Sequence, residues 1–306
     1  MNVGDPKRGR KAGPFPQAMA IPKRSDIDHN RLRTERLERL QAAMKKHDIA
    51  IALLYNAANI RYATGTDLMA VWTGSTLERY ALVPAEGQPI MCEFRTAEHT
   101  ARRYLETVHS AISWQWSGAA TRPTAERWAK QVKSFMQQLG VAGERLAIYK
   151  LDAPGFFELM EDGIDVVDAW PACADARRVK SPQEVELFKI NGTIGDAIMA
   201  DFEQAIHPGI REIDLLAVLS ESLLRHHGEF LFTRLVASGK NTNPWLQEAT
   251  EKCVQPGDLV GVDTDANGYE GYVIDVSRTF LCGDDASPEQ KEAYRVAYDC
   301  VTGMVE

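Results

Sequence analysis

The chain has 306 residues, 44% of them hydrophobic and 25% charged, with a formal net charge of −8 at pH 7. At roughly 150 residues per domain this length points to about two domains, each able to bury a core. The acidic balance argues against a nucleic-acid partner, and no run approaches the ~18 apolar residues of a membrane-spanning helix.

Five scattered cysteines (Cys92, Cys173, Cys253, Cys282 and Cys300) form no C-x-x-C pair. That argues against both a disulfide framework and a zinc-thiolate site, and points to free thiols in a reducing compartment. The basic start, Asp5-Pro6-Lys7-Arg8-Gly9-Arg10-Lys11, is followed by no apolar core segment, so the chain reads as cytoplasmic rather than secreted.

Residues 1–29 are rich in Pro, Lys and Arg without periodicity and read as an extended arm. From His29 to Lys46 the positions Leu32, Leu37, Leu40 and Met44 recur at helical spacing. Ile49 to Leu54 is a short apolar run of strand length, and Tyr55-Asn56-Ala57-Ala58-Asn59 reads as a turn. Strands are expected at Tyr80 to Pro84, Pro89 to Phe94 and Leu146 to Tyr149. An amphipathic helix is expected at Ala125 to Leu139, with Trp128, Val132, Phe135, Met136 and Leu139 on one face. This alternation indicates an α/β domain over residues 30–176.

Residues 177–306 read as a second domain. Ser181 suits a helix cap and Pro182 its first turn. Val185, Phe188, Ile194, Ile198 and Phe202 form an expected stripe that His207-Pro208-Gly209 ends. A second helix runs from about Glu212 to His227, with Ile213, Leu216, Leu219 and Leu223 toward the core. Ser287-Pro288-Glu289-Gln290 resembles a capping box opening a last helix. The adjacent His226 and His227 do not share a helix face and suit the helix end better than a metal.

The richest stretch runs from Gly257 to Phe280. Two β-prone runs flank a segment with glycines and an asparagine, which is a hairpin signal. Asp263 and Asp265 must share a face because strand side chains alternate. If the hairpin centres near Glu270, Asp265 lies across from Asp275. Carboxylates that close repel unless a proton or a cation intervenes, and an oxygen-only donor set suits a hard or borderline divalent ion. The competing reading is a solvated acidic surface hairpin, against which stand the apolar residues Leu259, Val260, Val262, Val273, Ile274 and Val276. Upstream, Phe232 to Trp245 reads as a strand followed by a polar turn. Trp245 either lines a pocket, offering its face to a cation, or packs beside a loop, and spacing leaves both open.

Gly257-Asp258-Leu259-Val260, Asp263 and Asp275-Val276-Ser277-Arg278-Thr279-Phe280 together resemble the first half of the metal site in pita-bread enzymes, the family of methionine aminopeptidases, prolidases, Xaa-Pro aminopeptidases and creatinase. Arg36 to Met44, Leu53-Leu54 and Asn59-Ile60-Arg61-Tyr62-Ala63-Thr64-Gly65 resemble the creatinase-type N-terminal domain. Arg178-Val179-Lys180-Ser181-Pro182-Gln183-Glu184 resembles the entry to the second domain. The resemblance implies an α/β (α+β) fold, a creatinase-type domain followed by an incomplete pita-bread catalytic domain.

Two departures from the peptidases stand out. Asp265 accompanies Asp263, and the loop that usually carries a His reads Thr242-Asn243-Pro244-Trp245. Both are similar to the pita-bread lyases that cleave dimethylsulfoniopropionate to dimethyl sulfide and acrylate. That likeness implies Asp263, Asp265 and Asp275 as metal ligands, with iron as the metal and manganese, zinc or cobalt as alternatives. It also implies Trp72 and Trp245 as substrate-binding aromatics, a small-molecule substrate, and a homodimer. Family members place a His, two Glu and the general base further along, so the chain is expected to be a fragment or truncated product, inactive by itself. A Xaa-Pro peptidase and a non-catalytic binding module are the competing functions.

Overall fold

The computed structural model describes residues 24–68 and 77–305. The chain divides into two compact units, one of residues 27–185 and one built chiefly on residues 186–306. Most of the proposed arm, residues 1–23, lies outside the described residues.

In the first unit the elements run α1 (His29–Lys46), β1 (Ile51–Leu54), α2 (Ala57–Thr64), β2 (Tyr80–Pro84), β3 (Ile90–Glu93) and α3 (Glu98–Ala101). They continue with β4 (Val108–Ser110), α4 (Thr121–Gln138), β5 (Leu146–Tyr149), α5 (Ala153–Glu161), β6 (Val166–Asp168) and α6 (Trp170–Arg178). Six strands form one mixed sheet in the order β4-β3-β2-β1-β5-β6. β1 is parallel to β5 and antiparallel to β2.

Central β1 shows why its sequence is apolar without alternation. Ala52 and Leu54 enter one core with Leu40, Met44 and Ile60, while Ile51 and Leu53 enter the other with Trp128, Val132 and Met136. A strand covered on both faces needs apolar residues at every position, and each fully buried aliphatic side chain contributes about 1.5–3 kcal/mol. The segment expected as a turn at Tyr55 to Asn59 instead opens α2. The Asn56 side chain accepts the Asn59 amide at 3.1 Å, so the asparagine acts as a cap.

The division between units falls inside α7 (Pro182–Ala205). Its start is the expected capping box, with Ser181 N donating to Glu184 Oε2 at 2.8 Å and Glu184 N donating to Ser181 Oγ at 3.3 Å. The buried stripe differs from the expected one. Leu187, Ile190, Ile194, Ile198 and Phe202 are buried, whereas Val185 and Phe188 are exposed. The buried five fall within about 120° of arc at 100° per residue, and Val185 and Phe188 fall outside it.

Next come α8 (Glu212–Arg225), β7 (Phe230–Leu231), β8 (Leu235–Ser238), β9 (Leu259–Asn267), β10 (Val273–Leu281) and α9 (Pro288–Val305). On α8, Leu215 rather than Ile213 joins Leu216, Leu219 and Leu223 in the core. The long β9 pairs with β10 on one edge, and with β7 and then β8 on the other, all antiparallel. α9 begins with the expected box between Ser287 and Gln290, but its Tyr294, Val296, Tyr298, Val301 and Met304 are exposed. Among the described residues no helix is long and apolar enough to cross a membrane.

Candidate functional site

The β9–β10 ladder pairs Val273 with Asn267, Asp275 with Asp265 and Ser277 with Asp263. The hairpin therefore centres on residue 270, as the sequence suggested. Glu270 takes the left-handed backbone conformation at the tip (φ 60°). Asn191 of α7 secures this turn from below. Its Oδ1 accepts the Tyr269 amide at 2.7 Å, and its Nδ2 donates to the Tyr269 carbonyl at 3.1 Å.

Alternation sorts β9 into two faces. Val260, Val262, Thr264 and Ala266 are buried, and α7 lies close to the hairpin on this side. A Cβ on Gly195 would meet Ile274 at 2.8 Å, and the Phe202 and Phe280 rings lie 5.9 Å apart. The other face carries Gly261, Asp263 and Asp265, with the two acids half-buried. On β10 the face toward α7 is covered in part, with Ile274 and Val276 half-buried and Phe280 buried, whereas Val273, Asp275, Ser277 and Thr279 on the acidic face are exposed. β10 is the outer strand of the described sheet, so one side of its ladder has no partner there.

Asp265 and Asp275 thus face each other directly. Two hydroxyl groups orient the acids: Ser277 Oγ donates to Asp263 Oδ1 at 2.5 Å, and Thr233 Oγ1 donates to Asp265 Oδ2. Sequence reading missed both hydroxyls, although the serine sits two residues past Asp275 and so on the same face. The donor chemistry, oxygen only and anionic, fits a hard divalent ion. Among the described residues, however, no three His, Cys, Asp or Glu side chains gather around one point that could hold a metal ion. The carboxylates stand as a facing pair with a neighbour, two of them turned toward hydroxyls.

Trp245 lies on this same face. A Cβ added to Gly261 would meet its ring carbons at 2.7 and 2.9 Å, so the indole occupies the space that the glycine leaves open, next in register to Asp263. The residue keeps 37% of its surface exposed. Trp245 therefore packs on the strand, with part of the residue left exposed. Trp72, the other proposed aromatic, lies outside the described residues.

The profile of Metallopeptidase family M24 matches residues 186–306, and that of the Creatinase/Prolidase N-terminal domain matches residues 36–179. Among curated proteins, the chain is 28% identical over 275 residues to dimethylsulfoniopropionate lyase DddP of Roseovarius nubinhibens, covering 85% of this chain and 60% of that one. It is 26% identical over 267 residues to the uncharacterized peptidase YqhT of Bacillus subtilis, covering 86% and 69%. Among solved structures, the recombinant prolidase from Thermococcus sibiricus superposes with a TM-score of 0.70 at 23% identity, covering 87% of this chain and 70% of that one. The prolidase from Pyrococcus horikoshii superposes with a TM-score of 0.68 at 20% identity, covering 87% and 70%. These structures share the fold. The chain spans about 60% of the length of the lyases it matches.

Proposed function

We propose that this chain, a member of the pita-bread family by its creatinase/prolidase N-terminal domain and its M24 segment, forms part of a metal-dependent lyase that cleaves dimethylsulfoniopropionate to dimethyl sulfide and acrylate. The observation that carries this reading is the indole of Trp245 seated on Gly261, on the strand face that bears Asp263 and Asp265. The substrate has a carboxylate at one end and a sulfonium cation at the other. An aromatic face attracts such a cation, in a loop where the related peptidases usually carry a histidine.

In this reading Asp263, Asp265 and Asp275 would hold the metal, with Ser277 and Thr233 donating hydrogen bonds to the first two. When bound, a divalent ion, iron in preference to manganese, zinc or cobalt, would supply positive charge to pair with the substrate carboxylate and acidify the carbon beside it. Trp245 orients the sulfonium end. Elimination then moves one proton from that carbon to a base. The C–H electron pair becomes the new double bond, the C–S bond breaks, and sulfur departs with its pair as neutral dimethyl sulfide.

The test is a pair of assays on purified protein carrying this chain, loaded with ferrous or manganous ion: headspace dimethyl sulfide from dimethylsulfoniopropionate, and proline released from Xaa-Pro dipeptides. Dimethyl sulfide without dipeptide cleavage supports the lyase. Proline without dimethyl sulfide moves the assignment to a Xaa-Pro peptidase. Binding of metal with neither product leaves only the binding-module reading.

A further inference from the structure

The loop that carries Trp245 is closed by one buried carboxylate. Glu212, at the first position of α8, has no exposed surface. It accepts the Ser238 amide at 2.7 Å and the Ser238 hydroxyl at 2.8 Å at the start of the loop. At the far end it accepts the Thr250 amide at 3.1 Å and the Thr250 hydroxyl. From within, Asn241 Nδ2 approaches both of its oxygens at 3.2 and 3.3 Å.

The contact is reciprocal. Arg211 at the N-cap pairs with the Asp214 side chain but caps none of the helix's first amides. The orphan amides of Glu212 and Ile213 donate instead to the carbonyls of Lys252 and Thr250, each at 3.0 Å. Lys252 Nζ then bridges Ser238 Oγ at 2.8 Å and Asp258 Oδ2 at 2.7 Å. Both ends of residues 238–250 are thus fixed to the start of one helix, and Trp245 projects from the middle onto Gly261. A carboxylate so far from water is costly unless its lone pairs are satisfied, and here the donors all come from the loop it holds or from residues at its ends.

We propose that Glu212 is a positioning residue: it sets the loop that lays Trp245 on Gly261, next in register to Asp263, and thereby the binding of the cationic end of the substrate. The kinetic part of this claim rests on the function proposed above, and the geometric part does not. A glutamine keeps the shape of the side chain but turns an NH2 group toward backbone donors. In protein labelled with 5-fluorotryptophan, where the six tryptophans give separate fluorine resonances and W245F assigns one of them, E212Q is expected to shift or broaden the Trp245 line alone. The KM for dimethylsulfoniopropionate should rise about tenfold with kcat within about twofold, as for a lost cation–aromatic contact of about 1.4 kcal/mol. A Trp245 line that stays in place in E212Q overturns the proposal. If E212Q collapses all six lines, N241A and T250V, which each remove part of the clasp, must move the Trp245 line alone, and an unmoved line in both overturns it. A shifted line with an unchanged KM upholds the positioning role and removes Trp245 from the substrate site.

Discussion

Asp275→Asn should stabilise the metal-free protein and weaken its response to metal. The register sets Asp275 opposite Asp265, and directly opposed side chains in an antiparallel pair have Cβ atoms about 4.5–5.5 Å apart. Two unit charges about 5 Å apart repel by ~0.8 kcal/mol at the dielectric of water and by ~3 kcal/mol at an effective value of 20. Because Asp275 is exposed, the lower figure applies, reduced further by salt to about 0.5 kcal/mol. In EDTA the melting temperature of D275N should therefore lie about 1–2 °C above the parent. With manganese at about 100 times the parent Kd, binding adds about 2.7 kcal/mol to the parent. If the lost ligand weakens affinity about 100-fold, the variant gains only ~0.4 kcal/mol from the same manganese, and the order of the two proteins reverses. Differential scanning fluorimetry at both conditions reads this directly. A variant less stable than the parent in EDTA, or one with an undiminished manganese shift, refutes the paired-carboxylate account.

Gly261→Ala places a methyl group where the Trp245 ring lies at 2.7 Å; it should displace the indole and raise the KM for dimethylsulfoniopropionate about tenfold, and an unchanged KM would count against Trp245 as a substrate contact. Asn191→Ala removes both hydrogen bonds that fix Tyr269 at the hairpin turn, at a cost of about 1–3 kcal/mol in urea unfolding; a loss below about 0.5 kcal/mol would show that the turn holds without them. A thiol reagent should label Cys253 and Cys300 quickly and the other three only on unfolding, since burial pushes Cys92 up to about 12 and Cys173 to about 11; rapid reaction of all five in the folded state would contradict the packing. Burial alone would raise the Glu212 carboxyl, but hydrogen bonds from Thr250 and Ser238 outweigh it and hold the group below its ordinary value. Its folded pKa being depressed, its stabilisation is present above about pH 4.5 and is lost as pH falls through the lower folded value. The stability gap between parent and E212Q should narrow on acidification, and a gap that widens reverses the sign.

Regular elements were legible wherever a local rule decided them. The helix at His29–Lys46, the strands at Tyr80–Pro84 and Leu146–Tyr149, and both serine capping boxes follow from periodicity and cap chemistry within a few residues. α2 was missed because asparagine serves turns and caps equally well, and only the amide it accepts distinguishes them. β4 and β6 are three residues each, too short to carry a period. On α7 the choice of Leu187 and Ile190 over Val185 and Phe188 depends on which side the neighbouring elements approach, and that information is tertiary.

The candidate site divides along the same line. Sequence placed Asp265 opposite Asp275 because a hairpin whose centre is known fixes every cross-strand pair. It left Trp245 undecided because its neighbour is sixteen positions away, and a glycine in a strand carries no mark of what fills its empty side. Gly261 is the residue that decides. The indole rests where a Cβ would stand, on the face with Asp263 and Asp265, so its packing on the strand follows from the missing side chain. Glu212 was hidden for a related reason. An acid in the first turn of a helix is ordinarily explained by the macrodipole, and nothing in its own neighbourhood announces that its five donor groups come from Ser238, Asn241 and Thr250. The metal-ligand candidates sit on a strand pair that reads from local pattern, while the groups that orient the tryptophan beside them are set by a loop whose two ends meet only in the folded chain.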